Sequence, residues 1–268
     1  MRITKTSKTS PSTSWFGLFF IAACSLGLAY WTQLAAQEAN IAYANVLDTT
    51  ADQTSIVTKI EGDASSMNIP AWSWFREGQI WEYIEKSAPR QKAIEGALIE
   101  SPVKASKEGG MRVDVRMKSS LIEMFQVAEA EGVPLMLSSA YRSRDDQQNL
   151  YDFYLALQGR AYVDSYVAKP GASEHETGLA IDVSSESPDC LNDSDKCNLH
   201  PDSISWLSEN ATRFGFLQRY PSGKQSITGV AGEAWHYRYI GRTLAEFLER
   251  ENLTFDEFVR QVAPGYAK

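Results

Sequence analysis

The sequence predicts an α+β domain preceded by an N-terminal membrane segment. Helical and strand periodicities follow one another irregularly after residue 110, without the regular βαβ alternation of a parallel sheet. The 268 residues suffice for one substantial core with an added subdomain, and no internal repeat divides them. A hydrophobic content of 43% with 22% charged residues is typical of a soluble globular domain.

The first 37 residues have the composition of a segment that directs export. Arg2, Lys5 and Lys8 precede an uncharged run over residues 15–31, and small residues follow it. This order is typical of a secretory signal or a signal-anchor, and the run is just long enough to span a bilayer. An uncleaved anchor is favoured over a cleaved signal, and a lipoprotein modified at Cys24 is the third alternative. All three place the folded part outside the cytoplasm.

Composition and turn residues divide the chain into three parts. Residues 1–37 are the signal or anchor, residues 38–107 a juxtamembrane extension, and residues 108–268 the folded domain with its C-terminal helices. The net charge is −8, from 26 basic and 34 acidic side chains, and no basic run follows the N-terminal segment. Nucleic acid is therefore not expected as a partner.

Periodicity, caps and turn residues predict the elements in order. Helices are predicted at residues 78–97, from about 121 to Gly132, at 145–157 with Leu150, Tyr154 and Leu157 on one stripe, at 204–214, and after a capping box of Thr254 and Glu257. Strands are predicted at residues 133–137, 179–183 and 235–240. In the second strand Leu179, Ile181 and Val183 alternate, so they face the core and Asp182 faces the other way.

Two cysteines bracket a short polar loop. In an oxidising compartment a local disulfide between Cys190 and Cys197 is favoured, and it stabilises the domain by roughly 2–3 kcal/mol. Free thiols are one alternative, and half of a second metal site formed by Cys197 and His200 is another. His200 has no other predicted role and is treated as structural.

Two of the three histidines lie in clusters rich in metal-ligating groups. His175 is followed by Gly178 and Asp182, and His236 lies farther along the chain. Two imidazoles and one carboxylate are the three protein ligands with which a catalytic zinc site keeps a fourth position open for water. The conformational freedom of Gly178 lets the chain turn sharply from a loop into the strand that carries Asp182. Taken alone, each of these residues is more typical of an ordinary surface position. Their clustering is what favours a metal site.

Glu233 lies three residues before His236, where a general base would be useful. On a regular strand, residues three apart face opposite sides. Both side chains can address one metal ion only if Glu233 lies in a loop or bulge at the start of the strand, which Gly229 and Gly232 permit. The alternative is a surface glutamate beside a half-buried histidine.

Arg142 follows a predicted buried strand and precedes a predicted helix. Its planar guanidinium could bind a carboxylate or a developing oxyanion. Gln147, near the start of that helix, could add an amide to the same pocket. Taken alone, Arg142 is more often a surface ion-pair residue than part of a site.

These motifs, in this order, resemble one family. Tyr141-Arg142-Ser143 with Gln147, then S-x-H-x-x-G-x-A-x-D over residues 173–182, then Glu233-x-x-His236, resemble the VanY-type D-alanyl-D-alanine carboxypeptidases. These zinc peptidases share a fold with lysostaphin-type enzymes and the hedgehog domain. The resemblance covers residues 110–241 and is specific, because several spaced motifs agree in order.

The resemblance implies a fold, a cofactor and an activity. The fold is hedgehog/DD-peptidase-like, with a small, mostly antiparallel sheet flanked by helices. The activity is removal of a terminal D-alanine from a peptidoglycan stem peptide. The expected contact with the membrane rests on the composition of the N-terminal segment, which the resemblance does not cover. The implied residues are His175, Asp182 and His236 for one zinc ion per chain, Glu233 and Arg142 for catalysis, and Ser173, Gln147 and Tyr141 for substrate binding.

Four other functions compete with this one. The same residues would serve an L,D-carboxypeptidase or a peptidoglycan endopeptidase, since pocket shape alone decides which amide reaches the metal. A zinc-stabilised cell-wall-binding module without catalysis is the alternative from another class. The presence of both Glu233 and Arg142 speaks against it, because a binding module needs no base. A purely structural zinc domain usually fills all four coordination positions, and no fourth ligand is evident.

Overall fold

The structure is a computed structural model and describes residues 78–85, 89, 97–107, 109–187 and 198–263. The predicted membrane segment at residues 1–37 and the predicted Cys190–Cys197 disulfide lie outside the described residues. Among the helices that the structure does describe, none is both long and apolar enough to cross a bilayer.

The predicted mixture of helices with a small antiparallel sheet is confirmed. The strands are β1 (Leu98–Glu100), β2 (Arg112–Asp114), β3 (Leu135–Ser139), β4 (Ala180–Ser185), β5 (Phe216–Tyr220) and β6 (Glu233–Tyr239). The α-helices are α1 (Lys118–Ala130), α2 (Arg144–Gln158), α3 (Arg160–Tyr166), α4 (Pro201–Asn210), α5 (Gln225–Thr228), α6 (Arg242–Arg250) and α7 (Phe255–Val262). β1 and β2 form a two-stranded antiparallel sheet, and the other four strands form an antiparallel sheet in the order β3-β4-β6-β5.

The four-stranded sheet separates the core from the opposite face. Leu179, Ile181 and Val183 are buried in the main apolar cluster, as their alternation predicts. The same cluster contains the buried faces of α1 and α4, including Leu121 and Leu207. Asp182 projects from the other face because neighbouring strand residues point to opposite sides.

A second apolar cluster joins the C-terminal helices to a segment near the start of the described chain. Leu244 and Leu248 of α6 and Phe255 of α7 pack with Trp81 and with Leu217 of β5. Trp81 also donates its indole N–H to the Ile240 carbonyl at 2.8 Å. Residues 78–85 are therefore held against the domain.

Three predicted elements differ in the structure. Residues 78–81 form a turn and 82–85 have no regular structure, so no helix begins at Gly78. β3 starts at Leu135 rather than Val133, because the Val133 amide still bonds to the end of α1 and Pro134 has no N–H. The helix predicted at 204–214 is α4 followed by a 3₁₀ turn, and it ends at Gly215 with φ +84° as predicted.

The remaining predicted helices are present. α2 matches its prediction within one residue at each end, and the capping box of Thr254 and Glu257 starts α7. Leu157, however, is 61% exposed. The buried face of α2 is formed by Tyr151 instead, which packs on α3.

β1 pairs with β2 across the boundary predicted at residue 108, and Ala105 forms a bridge with Leu137 of β3. Residues 97–107 are thus paired by backbone hydrogen bonds with strands of the domain.

Candidate active site

The three predicted metal ligands meet on the open face of the sheet. His175 Nε2 lies 3.3 Å from Asp182 Oδ2, and His236 Nδ1 lies 3.1 Å from Asp182 Oδ1. One ligand atom from each of the three residues lies within 4.8 Å of the other two. Both histidines are buried and Asp182 is partly exposed, so the cluster lies at the floor of a cleft.

Strand pairing brings Asp182 and His236 together. β4 and β6 are antiparallel neighbours, and Asp182 is directly opposite His236 in their register. Side chains of directly paired residues lie on the same face of a sheet. The two ligands, 54 residues apart in sequence, are therefore placed by regular backbone hydrogen bonding.

His175 is placed by a 3₁₀ turn that leads into β4. The turn spans Glu174–Thr177 and ends at Gly178, whose φ is +73°. A Cβ at Gly178 would lie 2.6 Å from Leu98 Cδ2, so both the backbone conformation and the space require glycine. His175 Nδ1 donates to the Ala140 carbonyl at 2.7 Å, and this leaves Nε2 facing Asp182.

Glu233 reaches the site through a bulge, as the spacing requires. In the β5–β6 pairing Gln218 is opposite Tyr237 and Tyr220 is opposite Glu233, so a step of two residues along β5 corresponds to a step of four along β6. The regular alternation of β6 is interrupted there, and Glu233 Oε2 lies 3.9 Å from His236 Nδ1. The carboxylate of Glu233 is thereby beside the metal ligands without being one of the three.

Arg142 lies on the same side of the cluster and is held firmly. Its Nη1 donates to Gln147 Oε1 at 2.7 Å and its Nη2 to Ser139 Oγ at 2.9 Å. Nη2 also lies 3.8 Å from Asp182 Oδ2, which places the guanidinium next to the metal ligands. Gln147 is itself fixed, because its Nε2 donates to the Ala168 carbonyl at 2.7 Å.

The three predicted substrate-binding residues have different positions. Ser173 is buried at the floor of the cleft, and its side chain does not cap the turn that follows it. Gln147 lines the cleft, but both ends of its amide bond to the protein. Tyr141 is not among the residues that line the cleft, and Arg112 packs over its ring at 4.9 Å. The structure therefore brings Ser173 and Gln147, but not Tyr141, to the cleft.

The cleft has a volume of about 900 Å³ and an aromatic wall that sequence reasoning missed. Tyr154, Tyr162 and Tyr166 line it, and their neighbouring ring centroids are 5.4 and 5.1 Å apart. Trp235 also lines the cleft and is 41% exposed. The available signal was that Tyr162 and Tyr166 are four residues apart and so share one face of a helix. The same spacing is equally typical of aromatic residues that pack in a core.

Glu174 is the second group that was missed. It adjoins His175 in the motif and is buried, and its Oε2 lies 3.4 Å from His236 Nε2. Its other oxygen accepts from Arg219 Nε at 2.8 Å and lies 3.4 Å from Arg238 Nη1. The available signal was an arginine among aromatic and other apolar residues on each of β5 and β6, since an arginine that is buried requires a buried counter-charge.

The electrostatics of the cluster favour a bound cation. Burial, reinforced by nearby Arg142 and His236, lowers the pKa of His175, so its imidazole is neutral and can coordinate. Burial would raise the pKa of Asp182, but the two histidines hold it well below its usual value. Burial would also lower the pKa of His236, but hydrogen bonds to Asp182 and Glu174 raise it to about 9. The carboxylates thus create a site that attracts positive charge.

The donor set fits zinc. Two ligands bound tetrahedrally at about 2.1 Å from one ion are about 3.4 Å apart. His175 Nε2 lies 3.3 Å from one oxygen of Asp182 and His236 Nδ1 lies 3.1 Å from the other, and one ligand atom from each residue lies within 4.8 Å of the other two, which is close enough for the three residues to share one ion. Two imidazoles with one carboxylate are a common catalytic zinc donor set, and among the described residues the structure places no further His, Cys, Asp or Glu in this group. The fold and the site together define a metallopeptidase-like centre with an acidic group and an arginine beside the metal ligands.

Comparison with known proteins gives the family. The family model VanY, D-alanyl-D-alanine carboxypeptidase, matches residues 110–242. A D-alanyl-D-alanine carboxypeptidase of Enterococcus faecalis is 35% identical over 159 residues, which cover 56% of each chain. The chain thus spans about half the length of this curated relative.

Two solved structures extend the comparison. The vancomycin resistance D,D-pentapeptidase VanY from a VanB-type cassette, solved with Zn(II), is 31% identical with a TM-score of 0.57, and the match covers 68% of this chain and 99% of that one. The LD-carboxypeptidase LdcB is 30% identical with a TM-score of 0.57, and the match covers 69% of this chain and 87% of that one. The chain belongs to the VanY D-alanyl-D-alanine carboxypeptidase family.

Proposed function

We propose that this protein is a zinc carboxypeptidase that removes the C-terminal D-alanine from peptidoglycan stem peptides outside the cytoplasm. The observation that carries the proposal is the convergence of three metal ligands, Glu233 and Arg142 on one cleft. The family and its named relatives support the substrate class. A cell-wall substrate in turn supports the export of the chain through its N-terminal segment.

His175, Asp182 and His236 would hold the metal. Zinc held there would supply a Lewis acid for the scissile carbonyl and would lower the pKa of a bound water to about 7. The partly exposed edge of Asp182 shows which side of the cluster faces the cleft. The peptide would enter from that side, because both histidines are buried beneath it.

Glu233 is the proposed general base. Its carboxylate is 3.9 Å from His236 Nδ1, within reach of a water that attacks a carbonyl beside the metal ligands. Glu233 takes a proton from that water as the oxygen adds to the carbonyl carbon. It then gives the proton to the amide nitrogen as the C–N bond breaks, which releases the terminal residue as a free amine.

Arg142 is the group proposed to bind the negatively charged part of the substrate. Its contacts with Gln147 and Ser139 fix the plane of the guanidinium, and its remaining N–H groups can donate to a carboxylate or a scissile carbonyl. Gln147 acts here chiefly through Arg142, and Ser173 offers a hydroxyl at the floor of the same cleft.

The test is product identification with the full-length chain. A pentapeptide stem that ends in D-alanyl-D-alanine should release one D-alanine and leave a tetrapeptide, which should then persist. Release of D-alanine from the tetrapeptide instead would show an L,D-carboxypeptidase, the alternative that the likeness to LdcB favours. Release of a larger fragment from either peptide would show an endopeptidase.

A further inference from the structure

The two histidine ligands are oriented by different kinds of partner. His175 is held by a backbone carbonyl, to which its Nδ1 donates at 2.7 Å. His236 presents Nδ1 to Asp182 and turns Nε2 toward Glu174 Oε2 at 3.4 Å. An imidazole can give a lone pair at Nδ1 only if its proton is on Nε2, and a carboxylate acceptor stabilises that tautomer. The orientation of His236 therefore depends on where Glu174 is held.

Glu174 is held by arginines because it is almost completely buried. Its side chain is 1% exposed, and an isolated carboxylate there would be strongly disfavoured. Burial alone would raise the pKa of Glu174, but Arg219 and Arg238 outweigh burial and keep the group ionised. Arg219 makes the closer contact, with Nε 2.8 Å from Glu174 Oε1.

Arg219 in turn is held from its far side by the C-terminal helix. Its Nη1 and Nη2 donate to the two carboxylate oxygens of Asp256 in α7, the second at 3.2 Å. Asp256 also accepts from the Tyr83 hydroxyl at 2.8 Å. The side chains of Arg219 and Asp256 are 2% and 3% exposed, so water cannot replace either partner easily.

We propose that Glu174, Arg219 and Asp256 are positioning residues that fix the His236 ligand, and that α7 and residues 78–85 therefore complete the metal site. The inference rests on the zinc site of the proposed function. Tyr83 and Asp256 both lie outside the residues that match the family model, 110–242. The C-terminal helix thus contributes a charge to the site although none of its side chains reaches the cleft.

The expected effects decrease with distance from the metal ligand. Glu174→Gln removes the charged acceptor and should weaken zinc binding about 10- to 100-fold, the usual effect of losing such a partner of a ligating histidine. Asp256→Asn leaves Arg219 with Glu174 as its only carboxylate and should weaken binding about two- to thirtyfold. Tyr83→Phe removes one hydrogen bond to Asp256 and should weaken binding about three- to tenfold.

The matched control is another ion pair with a buried carboxylate. Asp114 is 1% exposed and pairs with Arg116 at 2.7 Å, without contact to His236. Asp114→Asn should lower the stability of the metal-free protein as Asp256→Asn does, because each removes the charge of a buried carboxylate that pairs with an arginine. Its zinc affinity should stay within twofold of the wild type.

The experiment measures metal binding without substrate. The dissociation constant for zinc of the full-length chain, kept in mild detergent, is determined by competition with a chelator for wild type and the four variants. The visible absorption spectrum of the Co²⁺-loaded protein reports ligand geometry, and a denaturant titration of the metal-free protein reports stability. We expect weaker zinc binding and an altered Co²⁺ spectrum for Glu174→Gln and Asp256→Asn, and neither for Asp114→Asn.

Unchanged zinc affinity and an unchanged Co²⁺ spectrum in the folded variants would overturn the inference, whatever their stability. If Glu174→Gln and Asp256→Asn do not fold, Tyr83→Phe decides by the same two readouts. Failure of the wild type to bind zinc would refute the metal site itself, and zinc binding without peptide hydrolysis would refute only the carboxypeptidase function. The three results are distinguishable.

Discussion

Replacement of Arg142 by lysine tests how the substrate is recognised. Lysine keeps the positive charge but lacks the planar fork, and it cannot bond to Gln147 and Ser139 while it also meets a substrate oxygen. The proposed contact is a charge-assisted hydrogen bond to the terminal carboxylate of the peptide. Such bonds contribute about 1.5–3 kcal/mol, so the loss in kcat/KM should be about 10- to 150-fold.

The assay compares two peptides on two enzymes. A pentapeptide stem with a free C-terminus and its C-terminal amide are hydrolysed by wild type and by Arg142→Lys, and kcat/KM is measured for each pair. For wild type, kcat/KM on the amide should be about 10- to 150-fold lower than on the free acid, because the amide lacks the carboxylate that Arg142 is proposed to bind. For Arg142→Lys, kcat/KM should differ much less between the two peptides, because the variant has already lost the contact that the amide removes.

Arg144→Lys is the matched control for this cycle. Arg144 is two residues away and pairs with Glu176, but it is not among the residues that line the cleft. Its replacement should change neither kcat/KM nor the preference for the free acid. Equal rates of wild type on the acid and the amide would refute carboxylate recognition and favour the endopeptidase function.

Three further predictions concern single residues. Glu233→Ala should retain zinc, measured by elemental analysis, yet lose about 10²- to 10⁴-fold in kcat; loss of the metal would instead show that Glu233 is a ligand. Gly178→Ala should lower the free energy of unfolding in urea by about 1–3 kcal/mol, because φ is +73° and the added Cβ would clash with Leu98 Cδ2; an unchanged midpoint would contradict this. Thr254→Ala should remove the capping box with Glu257 and destabilise the protein by about 0.5–2 kcal/mol with zinc affinity unchanged; Thr254→Ser, which keeps the cap, should change little.

The positions of the metal ligands could be predicted from the sequence because local rules decide them. Alternation in β4 assigns Asp182 to the face opposite the core, and Gly178 marks the turn that delivers His175. The spacing of Glu233 and His236 required a loop or a bulge at the start of the strand, and the pairing of β5 with β6 shifts register there. These features depend on the alternation of side chains along a strand and on backbone conformations that particular residues favour. Both can be recognised in a sequence.

The surroundings of the site could not be predicted in the same way. Glu174 meets Arg219 across 45 residues of sequence, and Arg219 meets Asp256 across 37, so the chain of contacts links three different elements and nothing local specifies it. Tyr141 lies within a motif of the family, yet its ring packs against Arg112 instead of the cleft. Which face a loop residue presents depends on tertiary packing, and periodicity does not reveal it.

Dependence of D-alanine release on zinc is the most direct test of the proposed enzyme. The full-length chain is stripped with a chelator, and D-alanine released from a pentapeptide stem is measured before stripping, after stripping, and after zinc is returned in steps. Release should stop on stripping and return in full at one zinc ion per chain, and Asp182→Asn should not recover at that ratio because it lacks the carboxylate that both histidines face. Release that persists in the stripped protein, or recovery of Asp182→Asn equal to that of wild type, would contradict a zinc carboxypeptidase built on these three ligands.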